Sequence, residues 1–321
     1  MGSKNINKAS SYWDENVKLH EKPKVVVSWL DLPLMQDHCL KKLKVGVKVM
    51  SVTQWVLWVK EKYLPSTTLD YGLSLGCGDG TLERHAISFN ICSRFDAYDI
   101  SSKSIEVAKK HSEEGGFSDR INYQVADLNN IILPSNKYDI IFAGMSIHHI
   151  YNLEHIFVAL EKSLKPNGLF VMIEFVGPSQ FQWTNKQLHI INNILEILPK
   201  RLKIDVRSKT VKEQCLRPSV EYMNEHDPSE AIRSSDIIPL VYKMWNVEER
   251  IDFGGTISHM LLDGIVANFD PAKEEDIAIL RLMQYMEDTL IKEKVLPSDF
   301  TLIVAKKSSI SKECEYTKER K

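Results

Sequence analysis

The chain has 321 residues, room for one large or two small domains. Hydrophobic residues make up 43% and charged residues 26%, the proportions of an ordinary globular protein with enough apolar mass for a core. A formal net charge of -2 provides no global basic field, which disfavours nucleic acid as a partner, and no apolar run approaches the roughly 20 residues of a membrane span. The five cysteines, Cys39, Cys77, Cys92, Cys215 and Cys314, are widely spaced with no C-x-x-C pair, so no disulfide framework or zinc knuckle is indicated. With no apolar leader at the N-terminus, the expected setting is the reducing cytoplasm.

Residues 1–65 read as a helical lid: Ala9–Leu19, Pro33–Leu43 and Val49–Tyr63, the last with Trp55, Trp58 and Val59 at helical spacing before Pro65. From 66 to 175 strands alternate with helices. Leu69–Leu75 leads into Gly76-Cys-Gly-Asp-Gly80, and Thr81–Phe89 is the first crossover helix. Arg94–Ile100 is a strand, and Ser101 caps a helix that runs to about His111. Ile121–Ala126 and Tyr138–Ala143 are strands, the second apolar enough to be buried on both faces. Asn152 caps a helix that Lys165-Pro-Asn-Gly168 stops before the strand Leu169–Phe175. Residues 176–246 break the rhythm and read as a helical insertion over an acceptor site, with Gln187–Leu198, Val220–His226 and a turn at Ser229–Ser235. Residues 247–307 supply the strands Val247–Phe253 and Phe300–Lys306 around helices Ile257–Asn268 and Glu274–Lys294, and 308–321 reads as a disordered tail. The expected fold is α/β: a Rossmann-like, mostly parallel seven-stranded sheet with an antiparallel terminal strand, plus helical lid additions.

Three elements carry chemistry. Gly76, Cys77 and Gly78 lie where the first strand opens into a helix, and glycines there let the backbone turn sharply and approach a ligand. Their G-x-G-x-G spacing is not the dinucleotide G-x-G-x-x-G. Asp99, followed by Ile100, ends the second strand and can accept hydrogen bonds from two ribose hydroxyls, a role that does not by itself choose between cofactors. Asp127 and Leu128 end the third strand, where a carboxylate and an amide can meet an adenine ring. The plainer alternatives are a bare turn, a helix cap and a turn aspartate.

Together these elements resemble the class I S-adenosylmethionine (SAM)-dependent methyltransferases, over about residues 66–176. Tyr138-Asp-Ile-Ile-Phe-Ala143 and the turn at 164–168 fit the same family in order and spacing. The resemblance implies SAM as cofactor, lined by Gly76, Gly78, Asp99, Asp127, Leu128 and Met145. Ser11-Tyr-Trp-Asp14, Glu174–Thr184 and Asp252-Phe-Gly-Gly-Thr256 resemble bacterial members associated with cell-surface polysaccharide synthesis. The function expected is methyl transfer to a small-molecule or glycan acceptor, at oxygen, by a possible homodimer. A non-catalytic SAM-binding protein on the same fold is the alternative from another class, and an NAD-linked oxidoreductase is disfavoured by the loop spacing.

A hydroxyl attacks well only if its proton is removed, whereas a carboxylate acceptor needs no base. His148, His149 and Glu174 are the candidates, with His149 and Glu174 ranked equally; each could instead be a packing or strand-end residue. Tyr12 and Trp13 could fold an aromatic face over the sulfonium. Phe181 and Trp183 could line the acceptor pocket, as could His259, which shares a helix face with Asp263 at i and i+4, the plainer alternative being a solvated or core-satisfied pair. No spacing typical of metal ligands is present, so no metal is expected.

Overall fold

The computed structural model describes residues 8, 10–15, 28–42 and 54–307. Seven strands form one sheet: β1 Leu69–Leu75, β2 Cys92–Asp99, β3 Ile121–Val125, β4 Tyr138–Gly144, β5 Leu164–Phe175, β6 Trp245–Gly254 and β7 Phe300–Lys307. Their order is β3-β2-β1-β4-β5-β7-β6; the pairs among β1–β5 are parallel, and β7 runs antiparallel to both neighbours. The chain leaves β1 toward β2 on one side, while β4 lies on the other. The C-terminal ends of β1 and β4 therefore flank the switch point where such sheets open a crevice.

Alternation along the strands divides the core between the two faces. Ile140 and Phe142 of β4 pack on one side, Ile141 and Ala143 on the other. The first side is covered by α2 Gln54–Tyr63, α3 Thr81–Ser88, α4 Ser102–Glu114 and α10 Glu274–Lys292, through residues such as Trp55, Ala86, Ile105 and Leu280. The second is covered by α5 Leu153–Ser163 and α8 Ser234–Met244, through Phe157, Leu160, Ile237 and Val241. Pro33–Lys42 is α1, Asn185–Ile197 is α6, Val220–His226 is α7 and Ser258–Leu262 is α9. Among the described residues no helix is long and apolar enough to cross a membrane.

The expected fold is found, with local differences. The turn expected near Ser229–Ser235 is present over 228–233 and is followed by a helix not expected there, α8, which contains Pro239, a residue that reads as a breaker in sequence. The helix expected over Ile257–Asn268 is split into α9 and a 3-10 turn at Val266–Asn268, because Gly264 adopts φ +73. Helix α9 therefore ends before Asp263, which pairs with Arg207 at 2.7 Å rather than sharing a face with His259. Ser101 caps α4 through Ser104, as expected. Asn152 stands at the start of α5 without a side-chain cap and donates to the Asn129 carbonyl instead. Lys165–Gly168 lies inside β5, whose pairing with β4 begins at Leu164 and Tyr138. The N-terminal helix is described only over 10–15; residues 49–53 of the third expected helix, Leu43, and the tail 308–321 lie outside the described residues.

Candidate functional site

The loop after β1 is built for close approach. Gly76, Gly78 and Gly80 have φ of +61, +54 and +77, conformations that side chains resist. A Cβ at Gly76 would lie 2.4 Å from Ser146 Cβ, whereas one at Gly78 would meet nothing within 4 Å, so open space lies before that residue. The Gly78 amide donates to Asp99 Oδ2 at 2.9 Å and the Ser101 amide to Oδ1 at 2.8 Å, which locks the carboxylate beside the loop. Burial pushes the Asp99 carboxyl above its ordinary value, against these amides, and the nearby Asp14 charge adds to the push.

At the end of β3, Asp127 Oδ1 accepts from the Asn129 amide at 2.9 Å and from its side chain at 2.8 Å. Asn129 Oδ1 in turn accepts from the Tyr151 and Asn152 amides, tying the β3 and β4 ends together. After β4, Met145 sits at φ +54, a strained conformation for a non-glycine residue, with its amide bonded to Ile173 O at 2.8 Å. Helical residues 10–15 cross this edge. Asp14 Oδ1 accepts from Ser101 Oγ at 2.7 Å and from the Lys103 amide at 3.2 Å, which places a negative charge at the start of α4.

These elements line one open pocket. Of the cofactor residues expected from sequence, Gly76, Gly78, Asp99, Ile100, Asp127, Leu128 and Met145 line it. Cys77 does not; it is buried and its amide bonds to Tyr98 O. Trp13 lines the pocket and Tyr12 does not: Tyr12 packs edge-on against Trp13. The pocket also takes Ser104, Asn129, Ser146, Ile150 and Ser229, none of which sequence reasoning reached. Asn129 was open to discovery, since an Asx turn after Asp127 orders it. Ser229 carried no signal, because only the fold of the insertion brings it to His149.

His149 lines the pocket, its ring edge-on to Trp13 at 5.1 Å. Burial, then the neighbouring His148, holds its imidazole well below the ordinary value, so it is neutral. Glu174 is fully buried and does not line the pocket, which corrects the expectation that it could act as base. Its Oε1 accepts from the Ser146 and Ile147 amides, both at 2.6 Å, and its Oε2 meets His148 Nδ1 at 2.6 Å. His148 is also buried behind the pocket wall. Glu230 closes this end: its oxygens lie 3.8 Å from His148 Nε2 and 3.9 Å from His149 Nε2.

The residues expected to line an acceptor pocket lie elsewhere. Trp183 is buried, stacks on Phe181 with ring centres 5.0 Å apart, and donates to Asp299 at 3.1 Å. His259 packs edge-on against Phe181, Trp183, Phe175 and Phe300, and burial holds it down to about 4. This is an aromatic cluster beside the sheet rather than a wall of the pocket.

Residues 73–172 match the family described as Methyltransferase domain. Among curated relatives, the sterol 24-C-methyltransferase of Saccharomyces cerevisiae is 26% identical over 146 residues, covering 44% of this chain and 38% of that protein. The malonyl-[acyl-carrier protein] O-methyltransferase of Halalkalibacterium halodurans is 29% identical over 141 residues, covering 43% of this chain and 51% of that protein. The chain thus spans about half or less of the length of these relatives. Among solved structures, geranyl diphosphate C-methyltransferase from Streptomyces coelicolor A3(2), in complex with Mg2+, geranyl-S-thiolodiphosphate and S-adenosyl-L-homocysteine, aligns with a TM-score of 0.54 at 11% identity. That alignment covers 96% of this chain and 99% of the other. The [4+2]-cyclase SpnF aligns with a TM-score of 0.54 at 10% identity, covering 94% of this chain and 96% of the other. At these identities the likeness is one of fold.

Proposed function

We propose that this chain, whose residues 73–172 match a methyltransferase domain, transfers a methyl group from SAM to an oxygen of a small-molecule acceptor, a class that includes saccharide hydroxyls. The observation that carries the reading is the convergence of Gly76, Gly78, Asp99 and Asp127 on one pocket that continues past Met145 to His149 and Ser229. The residues fit the cofactor. The open space before Gly78 admits a ligand against the backbone, and the Asp99 carboxylate lies at the pocket wall, where it can accept from ribose hydroxyls. Asp127 and Leu128 suit an adenine edge, and Trp13 offers an aromatic face to a cation.

SAM supplies a methyl group on a sulfonium whose departure leaves a neutral thioether. The protein's part is to hold donor and acceptor in line and to exclude water. An alcohol also needs its proton drawn away as it attacks. In this pocket that task falls to the polar end formed by His149, with His148 and Glu230 behind it. The Nδ1 of His149 faces Ser229 Oγ at 3.3 Å, and its Nε2 faces Glu230 at 3.9 Å. A polar end of this kind supports an oxygen acceptor over a wholly apolar one. The fold alone does not choose the reaction, since the cyclase SpnF shares it.

The test is calorimetric titration with S-adenosylhomocysteine, followed by transfer of labelled methyl from SAM to a panel of hydroxylated small molecules. Micromolar binding, weakened at least tenfold by Asp99→Ala, is expected, since charge-assisted hydrogen bonds contribute about 1.5–3 kcal/mol each. No binding at millimolar ligand overturns the reading. Binding without transfer to any hydroxyl keeps the cofactor site and overturns the oxygen acceptor.

A further inference from the structure

The polar end of the pocket turns two imidazole nitrogens toward one carboxylate. His148 Nδ1 lies 2.6 Å from Glu174 Oε2, whose partner oxygen accepts two amides as an ionised carboxylate does. Nδ1 therefore carries the hydrogen. His149 Nδ1 lies 3.3 Å from Ser229 Oγ, and that hydroxyl already donates to Asp227 Oδ1 at 2.6 Å, so Nδ1 donates here as well. In both rings Nε2 is thus the nitrogen turned away from the bonded Nδ1, and what each Nε2 faces is the Glu230 carboxylate, at 3.8 and 3.9 Å.

These gaps exceed the roughly 2.7–3.2 Å of a hydrogen bond. A cation between them would satisfy all three groups at once. The ligand atoms of the three residues all lie within 4.8 Å of one another. Two ligands on a tetrahedral zinc ion, each at about 2.0–2.2 Å, are roughly 3.4 Å apart, so the imidazole–carboxylate gaps would close by about half an ångström. The surroundings favour positive charge. Asp227 Oδ2 is buried with no hydrogen-bond partner. The Glu174 carboxylate behind His148 is the second-sphere arrangement that fixes a metal-binding imidazole.

We propose that His148, His149 and Glu230 bind one divalent ion of the zinc class, with an open position for water or the acceptor's oxygen. Binding is independent of the methyl-transfer reading; the ion's role rests on it. A zinc-class ion lowers the pKa of an oxygen ligand toward neutrality, so the acceptor's proton leaves to solvent. The methyl–sulfur bond then breaks as the methyl–oxygen bond forms, and the electron pair stays on sulfur as a neutral thioether. His149 acts as a ligand in this scheme, and the ion replaces a side-chain base.

Chelator-dialysed protein titrated with Zn2+ against a chromophoric competitor tests the site. One ion per chain with submicromolar affinity is expected, weakened at least tenfold by Glu230→Gln and by His149→Gln. Glu230→Gln should bind S-adenosylhomocysteine as wild type does, which reports that it is folded. Zn2+ affinity weaker than millimolar, or affinity undiminished in both variants, overturns the site. Loss of Zn2+ binding alone leaves the methyl-transfer reading standing. Zn2+ binding without cofactor binding leaves the ion site and removes its proposed role.

Discussion

At Gly76 a single methyl group decides whether the loop can close on its neighbour. Its φ of +61 and the 2.4 Å approach of a Cβ to Ser146 combine backbone strain with a clash against a turn that Glu174 holds rigid. Gly78 shares the positive φ, +54, but its Cβ would meet open space. A left-handed conformation costs an ordinary residue about 1–2 kcal/mol, and overpacking a further ~1–3 kcal/mol. Gly76→Ala should therefore lower unfolding stability by about 3 kcal/mol, and Gly78→Ala by about 1 kcal/mol. Both should weaken S-adenosylhomocysteine binding, the second because its methyl occupies space kept for the ligand. Urea denaturation and calorimetry on the pair check this; equal losses of stability would show that the Ser146 contact yields freely. Residues of this loop are readable in sequence because one backbone segment carries the whole signal. The Ser229 and Glu230 contribution is not, because His149 meets Ser229 through a contact between distant segments.

Helix α3 follows the loop directly and carries Glu83 in its first turn, fully buried. The helix N-terminus favours a negative charge there, but loss of water dominates: burial pushes the carboxyl up to about 7, with Ser74 and the helix backbone pulling the other way. The folded value lies above that of the unfolded chain, so the native state holds the proton more tightly. Its contribution to stability is fully present below about pH 4 and is lost as pH rises through about 7. A rise from 4.5 to about 7 corresponds to about 3 kcal/mol. Glu83→Gln removes this titration. Relative to wild type, the variant should gain up to about 3 kcal/mol between pH 5 and pH 8.5 in chemical denaturation. A constant difference across that range would show that Glu83 does not ionise on unfolding. Element identity was legible where periodicity was undisturbed, as in β4 and α10. It failed where tertiary packing overrode a local breaker, as at Pro239 inside α8, or where Gly264 ended a helix that its apolar pattern would continue.

Across the whole molecule, the sheet supplies the cofactor end of the pocket and the insertion between β5 and β6 supplies Ser229 at the other, with Glu230 behind it. The first was legible because each strand end carries its own residue: Gly76, Asp99, Asp127 and Met145. The second depends on how the insertion docks, which no local pattern encodes. Arg233 is the visible tie. Its guanidinium makes a two-pronged contact with Glu154 of α5 at 2.7 and 2.8 Å, and also reaches Asp236 and the Tyr151 carbonyl. Glu154 is held below the ordinary carboxylate range by that hydrogen bond. The pair is partly exposed, so its net contribution is about 1 kcal/mol rather than that of a buried pair. Its larger effect is positional, since it sits just after the turn that carries Ser229 and Glu230. Arg233→Ala should leave S-adenosylhomocysteine affinity unchanged, and saturating ligand at 100 times Kd should still add about 2.7 kcal/mol to its unfolding free energy, as in wild type. Zn2+ affinity and methyl transfer should each fall, by about tenfold. If cofactor binding falls with them, the two ends of the pocket are not separately supported, and the insertion holds the sheet edge as well as the acceptor end.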